Sequence, residues 1–142
     1  MRLTQVAVLV ALCLMLVACG GGNFDTITGN WAATLSGTGV SPSVPVTIQF
    51  TVTLNQTSPP DVDVTNFIQN STSCLNASNS LSSTFSNGAF ALHVASAPGP
   101  FQNVLDLQGN VDGSAITGNW TFVGGASQES CSASGTFKLT KG

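Results

Sequence analysis

Four cysteines carry the most versatile chemistry in this sequence, because a thiol can be acylated, oxidised or bound to a metal. They are Cys13, Cys19, Cys74 and Cys131. The first two lie in or directly after an apolar stretch, whereas the other two are about 57 residues apart. Zinc sites use closely spaced Cys and His ligands, and the sequence has one histidine, His93. The spacing therefore predicts no metal ligands, and no other cofactor is indicated.

The first two cysteines belong to an N-terminal export sequence. Arg2 precedes an uncharged apolar run over residues 3–18, which has the length of a signal-peptide core and is short for a membrane span. The run leads into Leu16-Val17-Ala18-Cys19, which resembles the lipobox of bacterial lipoproteins. In that family the cysteine thiol receives a diacylglycerol, the peptide before it is removed, and the new amino terminus is acylated. The resemblance implies that residues 1–18 are a lipoprotein signal peptide and that Cys19 is the lipidation site; a plain secretory signal or an apolar helix is the alternative.

Residues 19–25 are then the lipidated cysteine and a short Gly-rich tether, which would hold the following domain close to a membrane. The residue after Cys19 is Gly20 rather than Asp, and by resemblance to enteric lipoproteins this implies the outer membrane, facing the periplasm or the cell surface. The chain after cleavage keeps two lysines against six acidic residues. With so few basic residues, the chain has no surface that could bind nucleic acid or anionic lipid headgroups. Membrane attachment must therefore come from the acyl chains.

Cys74 and Cys131 form an even pair in a chain that would be exported to an oxidising compartment. We therefore predict that they form a disulfide. In the loop-entropy model a bridge across about 57 residues constrains the unfolded chain by roughly 4 kcal/mol. That is a large part of the stability of a small domain, which is typically about 5–15 kcal/mol. Metal ligation and a reactive thiol are the alternatives.

Residues 26–142 predict a single all-β domain, because apolar and polar residues alternate with period two and no helical periodicity appears. The most regular run is 44–55, in which six apolar residues from Val44 to Leu54 occupy one face. The pattern predicts an eight-stranded antiparallel up-and-down barrel, with a two-sheet β-sandwich as the alternative. The predicted strands lie near 27–37, 44–55, 62–68, 80–86, 89–95, 103–111, 114–123 and 133–140.

Two dipeptides predict tight hairpin turns and allow the register to be tested. Pairing outward from Asn87-Gly88 sets the phenylalanine two residues before the turn opposite the one two residues after it. Pairing outward from Asp112-Gly113 sets Leu105 opposite Trp120. Both registers place apolar residues on one face, as antiparallel pairing over a core requires.

A short sequence occurs twice, as Ile27-Thr28-Gly29-Asn30-Trp31 and as Ile116-Thr117-Gly118-Asn119-Trp120. Glycine leaves room for a neighbouring backbone or ring, and the tryptophan two residues later points to the same side. This Gly-x-Trp is similar to the first-strand signature of calycins, the lipocalin and avidin barrels, in which the Trp plugs one end. The resemblance implies Trp31 and Trp120 as candidate ligand-binding residues. The aromatic-rich pocket of avidins and the Thr-Asp-Tyr of lipocalins have no counterpart, so convergent β-packing or an old duplication stays open.

The remaining polar residues predict no enzyme. His93 alternates out of phase with its apolar neighbours, which predicts a surface histidine, and no Gly-x-Ser-x-Gly or Ser-x-x-Lys motif occurs. Asp61 and Asp63 share one strand face but supply too few oxygens for calcium. We therefore expect a lipid-anchored cell-envelope protein with a structural or interaction role, meeting an envelope partner through its polar face or through loops 69–79 and 124–132. The alternative is a carrier that binds a small apolar ligand inside the barrel.

Overall fold

The computed structural model of the chain describes residues 26–71, 80–96, 102–125 and 131–142. The predicted signal peptide, Cys19, the tether and Cys74 lie outside these residues. None of the described segments contains a helix with the length and hydropathy that a bilayer span requires. The described chain forms eight strands: β1 (Gly29–Gly39), β2 (Pro45–Ser58), β3 (Asp61–Ser71), β4 (Ser80–Ser86), β5 (Ala89–Ala95), β6 (Val104–Asp112), β7 (Ala115–Val123) and β8 (Ala133–Lys141).

Each strand pairs antiparallel with the next one along the chain, and β8 pairs with β1 to close a barrel. The predicted eight-stranded antiparallel up-and-down barrel is therefore confirmed. The pairing is continuous around β5, β6, β7, β8 and β1, whereas β3 and β4 pair through Asp61 with Thr84 and Val62 with Ser83. Two strands extend three residues beyond their predicted ends. β2 continues to Ser58, and β3 continues through residues 69–71, where the sequence predicted a loop.

Alternation along the strands places the apolar residues inside the barrel. On β1, for example, Trp31, Ala33 and Leu35 are buried while the residues between them are exposed. Burying one large apolar side chain contributes about 1.5–3 kcal/mol relative to leaving it exposed, so this filled interior is the main source of stability. Val44 departs from the prediction: it precedes the first residue of β2 and is 47% exposed.

β3 pairs irregularly with β2, and the register between the two strands shifts at three places. Near Asn66, three steps along β3 correspond to two steps along β2, which is a β-bulge. Asn66 has a φ of 50°, in the left-handed region that Asn adopts more readily than most residues. The bulge shifts the alternation, so that Phe67 packs on the core with its ring centroid 4.7 Å from that of Phe50.

The hairpin at Asn87-Gly88 has the predicted register. Phe85 pairs with Phe90, and both rings are buried. Asn87 and Gly88 have φ values of 52° and 81°, as a type I′ turn requires of its two central residues. The Asn-Gly dipeptide therefore determines both the turn type and the register of the two strands that it joins.

The register predicted for the next hairpin was wrong by two residues. Its turn consists of Gly113 and Ser114, because Asp112 still belongs to β6. Leu105 consequently does not face Trp120. Gly113 has a φ of 58° and is the first central residue, the position at which type II′ turns take glycine. Since the displacement is two residues, every side chain remains on its predicted face.

The two ends of the barrel differ in their connections. At one end, which we call the tight-turn end, strands are joined by two-residue turns, and both Thr26 and the end of β8 lie there. At the other, the long-loop end, the connections are longer. The tight turns are 59–60, 87–88 and 113–114, and the longer connections are 40–44, 72–79, 96–103 and 124–132.

Candidate functional site

Trp31 lies in the core toward the tight-turn end of the barrel. It is 2% exposed, and its indole Nε1 donates to the backbone carbonyl of Ile27 at 2.7 Å. The Nζ of Lys141 lies 5.9 Å from the indole centroid and donates to the carbonyl of Thr26 at 3.3 Å. The indole N–H is therefore already hydrogen-bonded within the chain, and the Lys141 ammonium group lies over the ring.

Trp120 lies toward the long-loop end and joins two strands. Its Nε1 donates to the carbonyl of Thr136 at 3.1 Å and to that of Ser36 at 3.3 Å, so the indole links β7 to both β8 and β1. The ring fits because Gly37 has no side chain. A Cβ at that position would lie 2.7 Å from Cζ2 of Trp120.

Paired glycines open further room for rings inside the barrel. Gly109 faces Gly118 between β6 and β7, as Gly37 faces Gly135 between β1 and β8. A Cβ at Gly109 would lie 2.8 Å from Cζ of Phe137, so that ring occupies the space above the pair. An aromatic ring that lies over a glycine pair fills the space left by the missing side chains.

The structure thus places both predicted tryptophans inside, toward opposite ends. Each indole N–H already has a backbone acceptor, and the surrounding side chains form one apolar core. Their role in ligand binding stays a prediction. Both cavities that we describe lie instead on the outer wall.

A furrow runs along the outer wall over β5. The outward residues of β5 are small at one end, Ala89 and Ala91, and the next is His93. Longer or hydroxylated residues of the two neighbouring strands stand on either side. These are Ser82, Thr84 and Ser86 on β4 and Asp106, Gln108 and Asn110 on β6. We call this groove the β5 furrow.

The β5 furrow comprises two adjoining cavities. The larger, toward the tight-turn end, has a volume of about 490 Å³ and extends to Asn119 on β7. The smaller, around His93 and Asp106, has a volume of about 120 Å³. Both are lined by Thr84, Ala91 and Gln108, so they form one continuous groove.

His93 and Asp106 close one end of the furrow. Pairing between β5 and β6 sets them opposite each other, and Nδ1 of His93 lies 2.6 Å from Oδ1 of Asp106. Their side chains are 44% and 45% exposed, so His93 points outward as the alternation predicts. The contact with Asp106 was missed, because β5 and β6 are joined by a long connection rather than a tight turn that would fix their register.

Ser82 lies on the other side of His93, so a serine, a histidine and an aspartate stand in one row across three strands. A nucleophile and its base must be within hydrogen-bonding distance. In the described part of the chain the histidine contacts the aspartate, and no hydrogen bond joins it to Ser82.

The other predicted positions lie apart from the furrow centre. Asp61 and Asp63 are exposed at the start of β3, and no cluster of three or more potential metal ligands occurs among the described residues. Cys131 packs against the core and is disulfide-bonded. Its predicted partner, Cys74, lies outside the described residues, so the pairing stays a prediction.

Comparisons of this chain with models of protein families, with curated proteins and with solved structures find no match.

Proposed function

We propose that this protein is a lipid-anchored lipoprotein of the bacterial cell envelope whose barrel has an interaction or structural role and no enzymatic activity. The anchor rests on the lipobox, in which Cys19 would carry the lipid. The interaction role rests mainly on one observation, the packed interior. Both indole N–H groups are bonded to backbone carbonyls and the aromatic rings fill the space above paired glycines, so the outer surface is left for partners.

The position of the anchor gives the barrel an orientation. Thr26 lies seven residues after Cys19, a span of at most about 25 Å when extended. The tight-turn end would therefore face the membrane and the long-loop end would face away from it. The large apolar side chains that are exposed in the described residues all lie toward the long-loop end, where a partner would approach. They are Val40, Val44, Ile68 and Val123.

A disulfide between Cys74 and Cys131 belongs to the same proposal. Cys131 is disulfide-bonded and packs against the core. A bridge to Cys74 would join the connection after β3 to the connection before β8, both at the long-loop end. It would stabilise the end of the barrel that lacks tight turns.

The lipid anchor is tested by metabolic labelling with a clickable palmitate analogue in a bacterial host. Wild type should take up the label and fractionate with membranes, and Cys19→Ala should lose both properties. Cys13→Ala is the matched control, because it removes a cysteine from the same N-terminal segment without touching the acceptor thiol. A Cys19→Ala protein that is labelled as strongly as wild type would refute the lipoprotein proposal.

The second candidate function is a carrier of a small apolar ligand, which the fold favours because an eight-stranded barrel can hold one small molecule. Native mass spectrometry of the purified protein separates the two. We expect the mass of the acylated chain, about 2 Da below its reduced form because of the disulfide, with no further reproducible increment. A constant additional mass that detergent exchange does not remove would favour the carrier.

A further inference from the structure

We propose that the β5 furrow binds an uncharged, hydroxyl-rich ligand, that is, a segment of neutral glycan. This inference names the partner class for the interaction role and in that sense rests on the proposed function. It is carried by three features of the furrow, namely its floor, its walls and its charge.

The floor is apolar and narrow. Ala89 and Ala91 stand side by side on the outer face of β5, between strands whose outward residues are larger. Their methyl groups form a strip about 7 Å long, given the rise per residue of a strand, and His93 is the next outward residue beyond it. A pyranose ring has an apolar C–H face that can lie on such a strip while its hydroxyls point sideways.

Most hydrogen-bonding groups on the walls are not used by the protein, although the Ser83 hydroxyl donates to the carbonyl of Ala91 at 2.7 Å. Serine and threonine hydroxyls line one side, and the amides of Gln108, Asn110 and Asn119 line the other. In the described residues none of these amides, and neither Thr84 nor Ser86, makes a side-chain hydrogen bond to the protein. Amide and hydroxyl groups both donate and accept, which matches sugar hydroxyls.

The charge of the furrow disfavours anionic ligands. Neither cavity is lined by lysine or arginine, and the one carboxylate, on Asp106, already contacts His93. Phosphate and carboxylate groups are bound most strongly by such cations. A wholly apolar ligand would leave the wall amides and hydroxyls unpaired, which costs free energy when water is displaced.

An extended peptide is also a poorer occupant than a glycan. Peptides that add to a sheet pair with backbone groups of an edge strand. β5 is paired along its whole length with β4 on one side and β6 on the other, so its backbone is not available.

The test is a titration of the full-length protein, in a detergent without a sugar headgroup, with maltotriose and with triacetylchitotriose. Backbone amide NMR shifts report the binding position. We expect saturable shifts at Ala91 and Gln108 with at least one probe. Ala91→Leu, which fills the furrow, should weaken that binding about tenfold or more, equivalent to about 1.4 kcal/mol.

The matched control is Ala32→Leu, the same substitution at an exposed position on the outer face of β1, which should bind as wild type does. If Ala91→Leu does not fold, Gln108→Ala tests the same wall by removing an exposed amide, and it too should weaken binding. The glycan proposal is overturned if neither probe gives saturable shifts up to about 10 mM. It is also overturned if the shifts map away from the furrow or if a neutral peptide binds there in preference.

These experiments distinguish a failure of the lipoprotein proposal from a failure of the glycan proposal. The Cys19→Ala protein keeps the whole furrow, so it should bind the probe as wild type does even though it takes up no palmitate. Conversely, normal labelling together with an empty furrow would remove the glycan inference and leave the lipoprotein proposal standing.

Discussion

The inner wall around Trp120 and the outer wall over β5 use polar groups in opposite ways. Inside, the indole donates to two carbonyls, and in the described ranges no buried side-chain nitrogen or oxygen lacks a partner. Outside, the amides of Gln108 and Asn119 face solvent along a groove and bond to no described protein group. The inner wall therefore determines stability, whereas the outer furrow can change without unfolding the barrel.

The largest effect is expected from Trp120→Ala, which breaks the inner wall. It removes a 1% exposed indole and leaves a cavity between β7, β8 and β1. Substitutions of this kind cost about 3–5 kcal/mol. Urea unfolding followed by the fluorescence of Trp31, the one tryptophan left, measures the loss. Val123→Ala, at an exposed position on the same strand, is the control, and a Trp120→Ala protein as stable as that control would contradict the packing argument.

The next largest effect concerns the long-loop end. Cys74→Ser should lower the free energy of unfolding of the oxidised protein by about 2–5 kcal/mol if Cys74 is the partner of Cys131. Thermal unfolding with and without reductant measures it, because wild type in reductant should fall to the Tm of the variant. Equal melting temperatures of oxidised wild type and variant would show that the two cysteines are not bridged.

A smaller loss is expected from Gly118→Ala, which tests the glycine pairs without removing a ring. The new Cβ would lie 2.1 Å from the carbonyl oxygen of Gln108 and 2.4 Å from Cα of Gly109, so the backbone must move. Overpacking of this kind costs about 1–3 kcal/mol. Gly142→Ala, whose Cβ would meet its nearest atom at 3.7 Å, should be neutral. Identical urea midpoints for the two variants would exclude a close approach at Gly118.

The inner wall could be predicted from the sequence far better than the outer furrow could. Alternation identifies the face of each side chain, so the inward positions of Trp31 and Trp120 were correct even where the register of the second hairpin was wrong by two residues. Alternation does not identify which residues of neighbouring strands stand side by side. That requires the pairing of β5 with β6, and their long connection carries no turn signal. The bulge at Asn66 was missed for a related reason, since an extra residue depends on pairing with β2.

The smallest effect on stability is expected where the two walls differ most, at His93 and Asp106. Both side chains are nearly half exposed, and exposed pairs of this kind couple by about 0–1 kcal/mol. A double-mutant cycle with His93→Gln and Asp106→Asn, measured by urea unfolding, should give a coupling in that range. A coupling of several kcal/mol would instead make the pair part of the barrel's stability. Asp106→Asn alone should also leave the urea midpoint almost unchanged. That combination is what an outer wall independent of the core requires.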